Sequence, residues 1–292
     1  MKNSSYTDEG IANAPNHAEG HIWWLTQNAS RTTTIPFTPI SPYRFAGAGD
    51  INSTVMDLAN WLEFQMHDGI YENKKIVAKE ALAFTRVPQV AIDDNQSYAL
   101  GWVVSPMPKD TIIWHKGSAF GFGAFIGWWV KAKTGVVILT NEADRGLPST
   151  LGRWVLEWVI DYKKPPDYVD WAFGQAKTAY EKEVQTYTRP KDPRKPPQGI
   201  DGLYANPSFG GASLGRDGGA LFVKLETGAE LKLEPFDGDI FTMRLQPTPD
   251  FAALAEDLQP FPLGFARVYV KDGHNHFELR FADGPPYDFV EK

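Results

Sequence analysis

Between Tyr98 and Asn141 the chain passes through four apolar segments, YALGWVV, TIIWHKG, FGAFIGWWV and GVVILTN. The connections between them are PMPKD, GSAFG and KAKTG. Parallel neighbours need a crossover of a dozen or more residues, so connections this short force antiparallel pairing. The segments are rich in β-branched and aromatic residues and are bounded by Gly, Pro and Asp, the pattern of strands. Amphipathic helices flank this meander. TVMDLANWLEFQMHDG carries Val55, Leu58, Leu62 and Met66 at helical spacing, with Trp61 beside them. Ser53 or Thr54 caps it, Thr54 with Asp57 fits a capping box in which Asp replaces Glu, and Asp68-Gly69 stops it. A shorter helix is expected from near Ala78. LPSTLGRWVLEWVIDY is the second long one, with Leu151, Val155, Trp158, Val159 and Tyr162 on or near one face. Helix, meander and helix make an α+β layer arrangement.

Residues 1–50 are irregular, with prolines at 15, 36, 39 and 42. A loop this long in a compact domain is functional or covers something. After the last long helix comes a polar stretch of helical character, AFGQAKTAYEKEVQTY, and then RPKDPRKPPQG, a stiff Pro- and charge-rich linker. The basic residues of that linker are those of a solvated connection. From Gly199 the pattern is all-β. LYANP, ALFVKLE, ELKLEPF, DIFTMRL, ARVYVKD, NHFELRF and PYDFVEK are short strands at regular spacing, and Asp272-Gly273 is a hairpin turn. They predict a small barrel or curled meander. The domain reading is therefore 1–163, a linker over 164–199, and a β domain over 200–292.

A net charge of −7 argues against nucleic acid or an anionic membrane as partner. With no cysteine there is no disulfide, thiolate metal site or cysteine nucleophile. No metal or other cofactor is implied. No apolar run is long enough to span a membrane, and the first residues contain no signal-peptide core.

The stretch with most chemistry is WHKGSAFGFGAF at 114–125. His115 is a potential donor at a strand end. Gly117, two residues on, starts from the same side of the pleat and lets a ligand backbone come close. The Ser118 N–H is a candidate oxyanion donor, and one such donor is worth about 3–4 kcal/mol. Phe120, Phe122 and Phe125 are candidates to line a pocket. On its own, His-Lys-Gly is more often the mark of a strand-edge turn with a satisfied histidine.

AGAGDINSTVMDLANWL, YALGW, WHKGSAFGFGAFIGWW, TGVVILTNEAD and a long helix follow one another in this order. The series resembles the penicillin-recognising serine hydrolases, in particular the class C beta-lactamase-like branch with its esterases, D-aminopeptidases and penicillin-binding proteins. The resemblance covers about residues 1–163, and MKNSSYT and AEGH look like that family's loop after its second motif. His115-Lys116-Gly117 matches the His-x-Gly form of the third motif. The resemblance implies a partial beta-lactamase/transpeptidase-like fold. It assigns His115 to orienting or assisting the substrate, Gly117 to docking it and the Ser118 N–H to the oxyanion hole. Lys116 stands where the family often has Thr or Ser; it reaches a substrate carboxylate or points to solvent. The β domain resembles the lipocalin-like domain appended to such hydrolases.

The family also needs Ser-x-x-Lys, a nucleophile with a lysine one helical turn on, and Tyr-x-Asn. No serine of this chain has Lys at i+3. Both motifs belong upstream of MKNSSYT, so the chain is expected to be the C-terminal part of such an enzyme, inactive alone and prone to associate through a sheet edge left open. Tyr71-Glu72-Asn73, Tyr204-Ala205-Asn206 and Gly211-Ala212-Ser213-Leu214-Gly215 match catalytic motifs by letters only. His17 and His21 read as loop residues, His274 and His276 as exposed. Asp144, Arg145, Tyr43 and Arg44 are candidates for the rim of the site. The expected partner is a small amide, ester or peptide substrate. Export to the periplasm or medium is favoured by the resemblance alone. The competing class is a non-catalytic peptide- or glycan-binding protein, and a third is a carrier built on the barrel.

Overall fold

The computed structural model describes all residues except 25–28, 33–45, 50, 120, 144–145, 162–167, 189–190, 259–260 and 282–283. Two compact units divide near Glu181 and Lys182. The first opens with helix α1 (Asp8–Ala12), the hairpin β1 (His21–Trp24) and β2 (Ala29–Thr32), and the short α2 (Ala46–Gly49). Then come α3 (Val55–Met66), β3 (Ile70–Tyr71), β4 (Lys74–Lys75) and α4 (Lys79–Phe84). The meander has six strands: β5 (Val90–Asp93), β6 (Gln96–Tyr98), β7 (Val103–Pro106), β8 (Thr111–Ala119), β9 (Phe122–Trp129) and β10 (Thr134–Thr140). They lie in the order β10-β9-β8-β7-β6-β5, every neighbouring pair antiparallel. YALGWVV is two strands rather than one, because Gly101, at φ +83°, turns the chain between Tyr98 and Val103. Only glycine takes that backbone without strain.

Alternation divides the sheet's side chains between two cores. Ile113 and Trp128 face α3, where they meet Leu62, Ala99, Trp102 and Val104. Ile112, Phe125 and Trp129 face α5 (Leu147–Asp161) and close on Leu156. The sequence places α5 correctly but rotates it. Leu156 is its fully buried contact, whereas Trp158, expected on the inner face, is 48% exposed. Gly152, one turn before Leu156, supplies the close approach that decides the rotation. Val55 is likewise exposed, and Leu62 and Phe64 carry the buried side of α3.

The cap of α3 is as expected on one side only. Thr54 Oγ1 accepts from the Asp57 N–H at 3.2 Å. The Asp57 carboxylate does not return to the cap. It accepts from the Asn3 N–H at 2.7 Å and from Ser4 Oγ at 2.8 Å, and an isolated bridge joins Ser5 to Asn52. The first residues of the chain are thereby tied to the start of α3.

Helix α6 (Tyr168–Thr188) occupies much of the stretch read as linker, and its last residues belong to the second unit. There Tyr187 stacks on Phe261 and Phe265 and meets Phe236 edge-on. The second unit is a closed barrel of eight strands: β11 (Gly202–Asn206), β12 (Gly210–Asp217), β13 (Ala220–Leu225), β14 (Glu230–Asp237), β15 (Ile240–Leu245), β16 (Gly264–Lys271), β17 (His274–Phe281) and β18 (Pro286–Glu291). The short helix α7 (Ala252–Asp257) lies between β15 and β16 in the chain. Seven strands were legible. The eighth, β12, reads GGASLGRD and hides behind glycines that weaken a strand signal. Closure by β11 on β18 removes the edges that an open sheet would expose.

Among the described residues the barrel interior is filled. Tyr204, Val223, Met243, Phe277, Leu279 and Phe289 have no exposed surface, and Phe277 stacks on Phe289 at 4.4 Å. Burial pushes the Tyr204 hydroxyl up to about 12, and its Oη donates to the Ile200 carbonyl at 2.6 Å.

Candidate active-site edge

Strand β8 carries the residues singled out by the sequence, and its two ladders have different lengths. With β9 it pairs from Ile112 to Ala119; with β7 it pairs only from Thr111 to Trp114. Among the described residues no strand continues the β7 side beyond Trp114. The parity of the ladder decides which backbone groups face that side. The Met107 N–H donates to Asp110 O, and the Val130 N–H donates to Thr111 O. In an antiparallel ladder bonded pairs alternate with non-bonded ones. Even-numbered residues of β8 therefore direct their N–H and C=O towards β7, and odd-numbered residues direct theirs towards β9. Pro106, which has no N–H, falls opposite Thr111 at a non-bonded position, as this parity requires. Past Trp114 the backbone groups of Lys116 and Ser118 point away from β9.

The side chains divide just as cleanly. His115, Gly117 and Ala119 share the α3 face of the sheet with Ile126, Ala124 and Phe122, their partners on β9. Lys116 and Ser118 lie on the other face, and Lys116 is exposed. His115 and Phe122 are half-buried. Gly117 is not demanded by packing: a Cβ there would meet only Ala124 Cβ, at 3.8 Å. Phe125, expected to line a pocket, is fully buried and stacks on Trp114 at 5.8 Å, so it belongs to the core. Phe120 lies outside the described residues, as do Tyr43, Arg44, Asp144 and Arg145.

One partner of the site escapes the sequence reading. Tyr98, at the end of β6, places its hydroxyl 3.0 Å from His115 Nε2, with the rings 5.8 Å apart and edge-on. Its position within YALGW marks a strand, and nothing in the spacing links it to His115. The loop containing AEGH reaches the same end of the sheet. The His21 N–H donates to Gly121 O and the Ala143 N–H to His21 O, while Asn141 Nδ2 donates to Glu19 O.

The letter-only motifs lie outside the structural contexts that those motifs need. Tyr71-Glu72-Asn73 bends through positive φ at Glu72 and Asn73 to join β3 to β4. Ser213 lies mid-strand in β12, not on a strand-to-helix turn. Tyr204 is in the barrel core. His276 is not exposed as expected. It is 7% accessible, stacks on Tyr269 and bonds through Nδ1 to Asp288 at 3.0 Å; Tyr269 Oη also donates to Asp288. Among the described residues no cluster of His, Asp and Glu has the arrangement of a metal site. No described helix is long and apolar enough to cross a membrane.

An antiparallel sheet covered by α3 and α5 is the frame of a beta-lactamase-like domain. The chain belongs to the beta-lactamase family, whose profile matches residues 4–156, just over half of its length. No curated protein matches it. Among solved structures it is similar to the octameric penicillin-binding protein homologue from Pyrococcus abyssi (18% identity, TM-score 0.48, 100% of this chain and 57% of that one). It is also similar to a class C beta-lactamase (20%, TM-score 0.33, 39% of this chain and 36% of that one). SurE is a third (14%, TM-score 0.36, 96% and 58%). The chain spans little more than half the length of the first of these.

Proposed function

We propose that this chain is the C-terminal part of a serine hydrolase that cleaves an amide or ester through an acyl-enzyme, and that it contributes the substrate-docking wall. The observation that carries the reading is the β8 edge. His115 and Gly117 share a face, Gly117 leaves room that the fold does not use, and the backbone groups of Lys116 point away from β9, on the side where the β7 ladder ends at Trp114. A substrate strand laid along that edge takes backbone hydrogen bonds as an added strand would. The Ser118 N–H serves as one oxyanion donor, His115 assists the bound carbonyl or carboxylate, and Phe122 gives an apolar wall. Lys116 is exposed on the opposite face and acts, if on anything, on a distal carboxylate. We assign the barrel to the lipocalin-like appended class.

No serine in these 292 residues has the lysine partner the chemistry needs, so the chain alone lacks nucleophile and general base. The test is turnover of nitrocefin and p-nitrophenyl esters by the purified chain. None is expected, and turnover would overturn the placement of the nucleophile outside this sequence. The same missing motif favours a second reading, a peptide- or glycan-binding protein on this fold. Coding DNA with an in-frame Ser-x-x-Lys and Tyr-x-Asn before the Met1 codon supports the enzyme, whereas a stop codon immediately upstream supports the binding protein. Export of the protein is an expectation of the enzyme reading.

A further inference from the structure

We propose that Tyr98 is a positioning residue that holds the neutral His115 ring in its Nδ1–H tautomer, so that His115 meets a ligand on the β8 edge as a hydrogen-bond donor. The functional meaning rests on the reading of that edge as a docking wall; the tautomer itself does not.

The Tyr98 hydroxyl and His115 Nε2 are 3.0 Å apart, and neither side chain has another hydrogen-bond partner among the described residues. Each therefore satisfies the other. A phenol is a strong donor and a weak acceptor, because its oxygen lone pair is delocalised into the ring. A bare imidazole nitrogen is a good acceptor, and in a neutral ring one nitrogen accepts while the other carries the proton. The favourable pairing is Tyr98 Oη–H donating to Nε2, which leaves the proton on Nδ1. A hydrogen bond at one ring nitrogen thus sets the state of the other. An unrestrained imidazole favours the opposite tautomer, with Nε2 protonated, so the contact reverses the ring's own preference.

The consequence is chemical. With Nε2 occupied, neutral His115 has only Nδ1–H left to offer a ligand and is not available as a base towards it. When the ring is protonated, Nε2–H turns to donate to Tyr98 Oη, and Nδ1–H is still a donor. His115 thus has a donor at Nδ1 in either charge state. That donor suits a carbonyl or carboxylate oxygen of an acyl or peptide ligand and disfavours a ligand ammonium group.

The test uses the 292-residue chain, labelled with 15N, and long-range 1H–15N correlation of the imidazole rings at about pH 8.5, well above the ordinary imidazole value of about 6.5. His115 is assigned by the peaks lost in His115→Gln. The expected wild-type pattern is protonated Nδ1 and bare Nε2 as the major form. Tyr98→Phe, which removes only the hydroxyl of a side chain that is 39% exposed, should fold with unchanged near-ultraviolet circular dichroism and make Nε2–H the major form. A wild-type ring with Nε2 protonated, or a pattern unmoved by Tyr98→Phe, overturns the proposal. The readout requires no turnover, so a chain that hydrolyses nothing leaves the test intact.

Discussion

Gly152 lies directly on the ring of Phe125: a Cβ at position 152 would stand 2.1 Å from Phe125 Cδ1 and 2.4 Å from Cε1. Phe125 cannot retreat, since it has no exposed surface and stacks on Trp114. Gly152→Ala must push α5 away from the sheet and disturb the seat of Leu156, whose burial alone is worth about 1.5–3 kcal/mol. The expected cost of the overpacked methyl is on the order of 3 kcal/mol. A unit of this size loses about 2–4 °C of melting temperature per kcal/mol. Thermal unfolding of Gly152→Ala at the wild-type temperature would show that α5 packs differently from the structure described.

Asp57 gives the first unit an acid-sensitive tie. The Ser4 hydroxyl, with help from the Asn3 N–H and against the effect of burial, holds its carboxyl below the ordinary 3.8. A carboxyl with a folded value below its unfolded one contributes stability above the unfolded value. That contribution is lost as pH falls through the folded value. The melting temperature of the wild type should therefore drop below about pH 4 more steeply than that of Asp57→Asn. Ser4→Ala should lie between the two. Parallel curves for wild type and Asp57→Asn from pH 6 down to pH 2 would remove Asp57 as the cause.

The meander was legible because short connections leave antiparallel strands no alternative, and the helices because their apolar spacing is regular. The rotation of α5 was not, since Trp158 is as apolar as Leu156 and only the absence of a side chain at Gly152 decides which turns inward. At the site, His115 and Gly117 were legible as residue types on one face of a strand. The end of the β7 ladder at Trp114 and the reach of Tyr98 to His115 were not, because both depend on where neighbouring strands stop and in which register they pair. His276 fails because its burial comes from contacts across the strands, with Tyr269 and Asp288, which residue type alone does not show.

Two glycines a few residues apart should behave oppositely. Gly117→Ala meets only Ala124, at ordinary contact distance, and should change stability by no more than about 0.5 kcal/mol, as surface substitutions do. Gly123→Ala brings a Cβ to 2.6 Å from Thr140 Oγ1 and 3.0 Å from Pro148, and should cost about 1–3 kcal/mol. Denaturant unfolding of the two variants decides the matter. If Gly117→Ala is as damaging as Gly123→Ala, Gly117 is kept for the fold and the space above it is not reserved for a ligand.

The two edges of the six-stranded sheet differ in protection. Strand β5 is four residues long, carries Asp93 and has a bulge between Ala91 and Asp93. Strand β10 is seven residues long, TGVVILT, with no charge, proline or bulge, and among the described residues it pairs with β9 alone. Long, uncharged edges of this kind recruit further strands. Carried on to β10, the ladder parity points the N–H groups of Gly135, Val137 and Leu139 outward. A second copy laid antiparallel would set Thr134 opposite Thr140 and Val137 opposite itself, with no like charges meeting. The purified chain should therefore associate with rising concentration. Leu139→Pro removes an outward N–H without breaking a bond to β9, and should shift sedimentation towards the monomer while near-ultraviolet circular dichroism stays unchanged. A wild-type chain that sediments as a monomer at all concentrations would mean that β10 is already covered, and association by Leu139→Pro equal to that of the wild type would place the contact elsewhere.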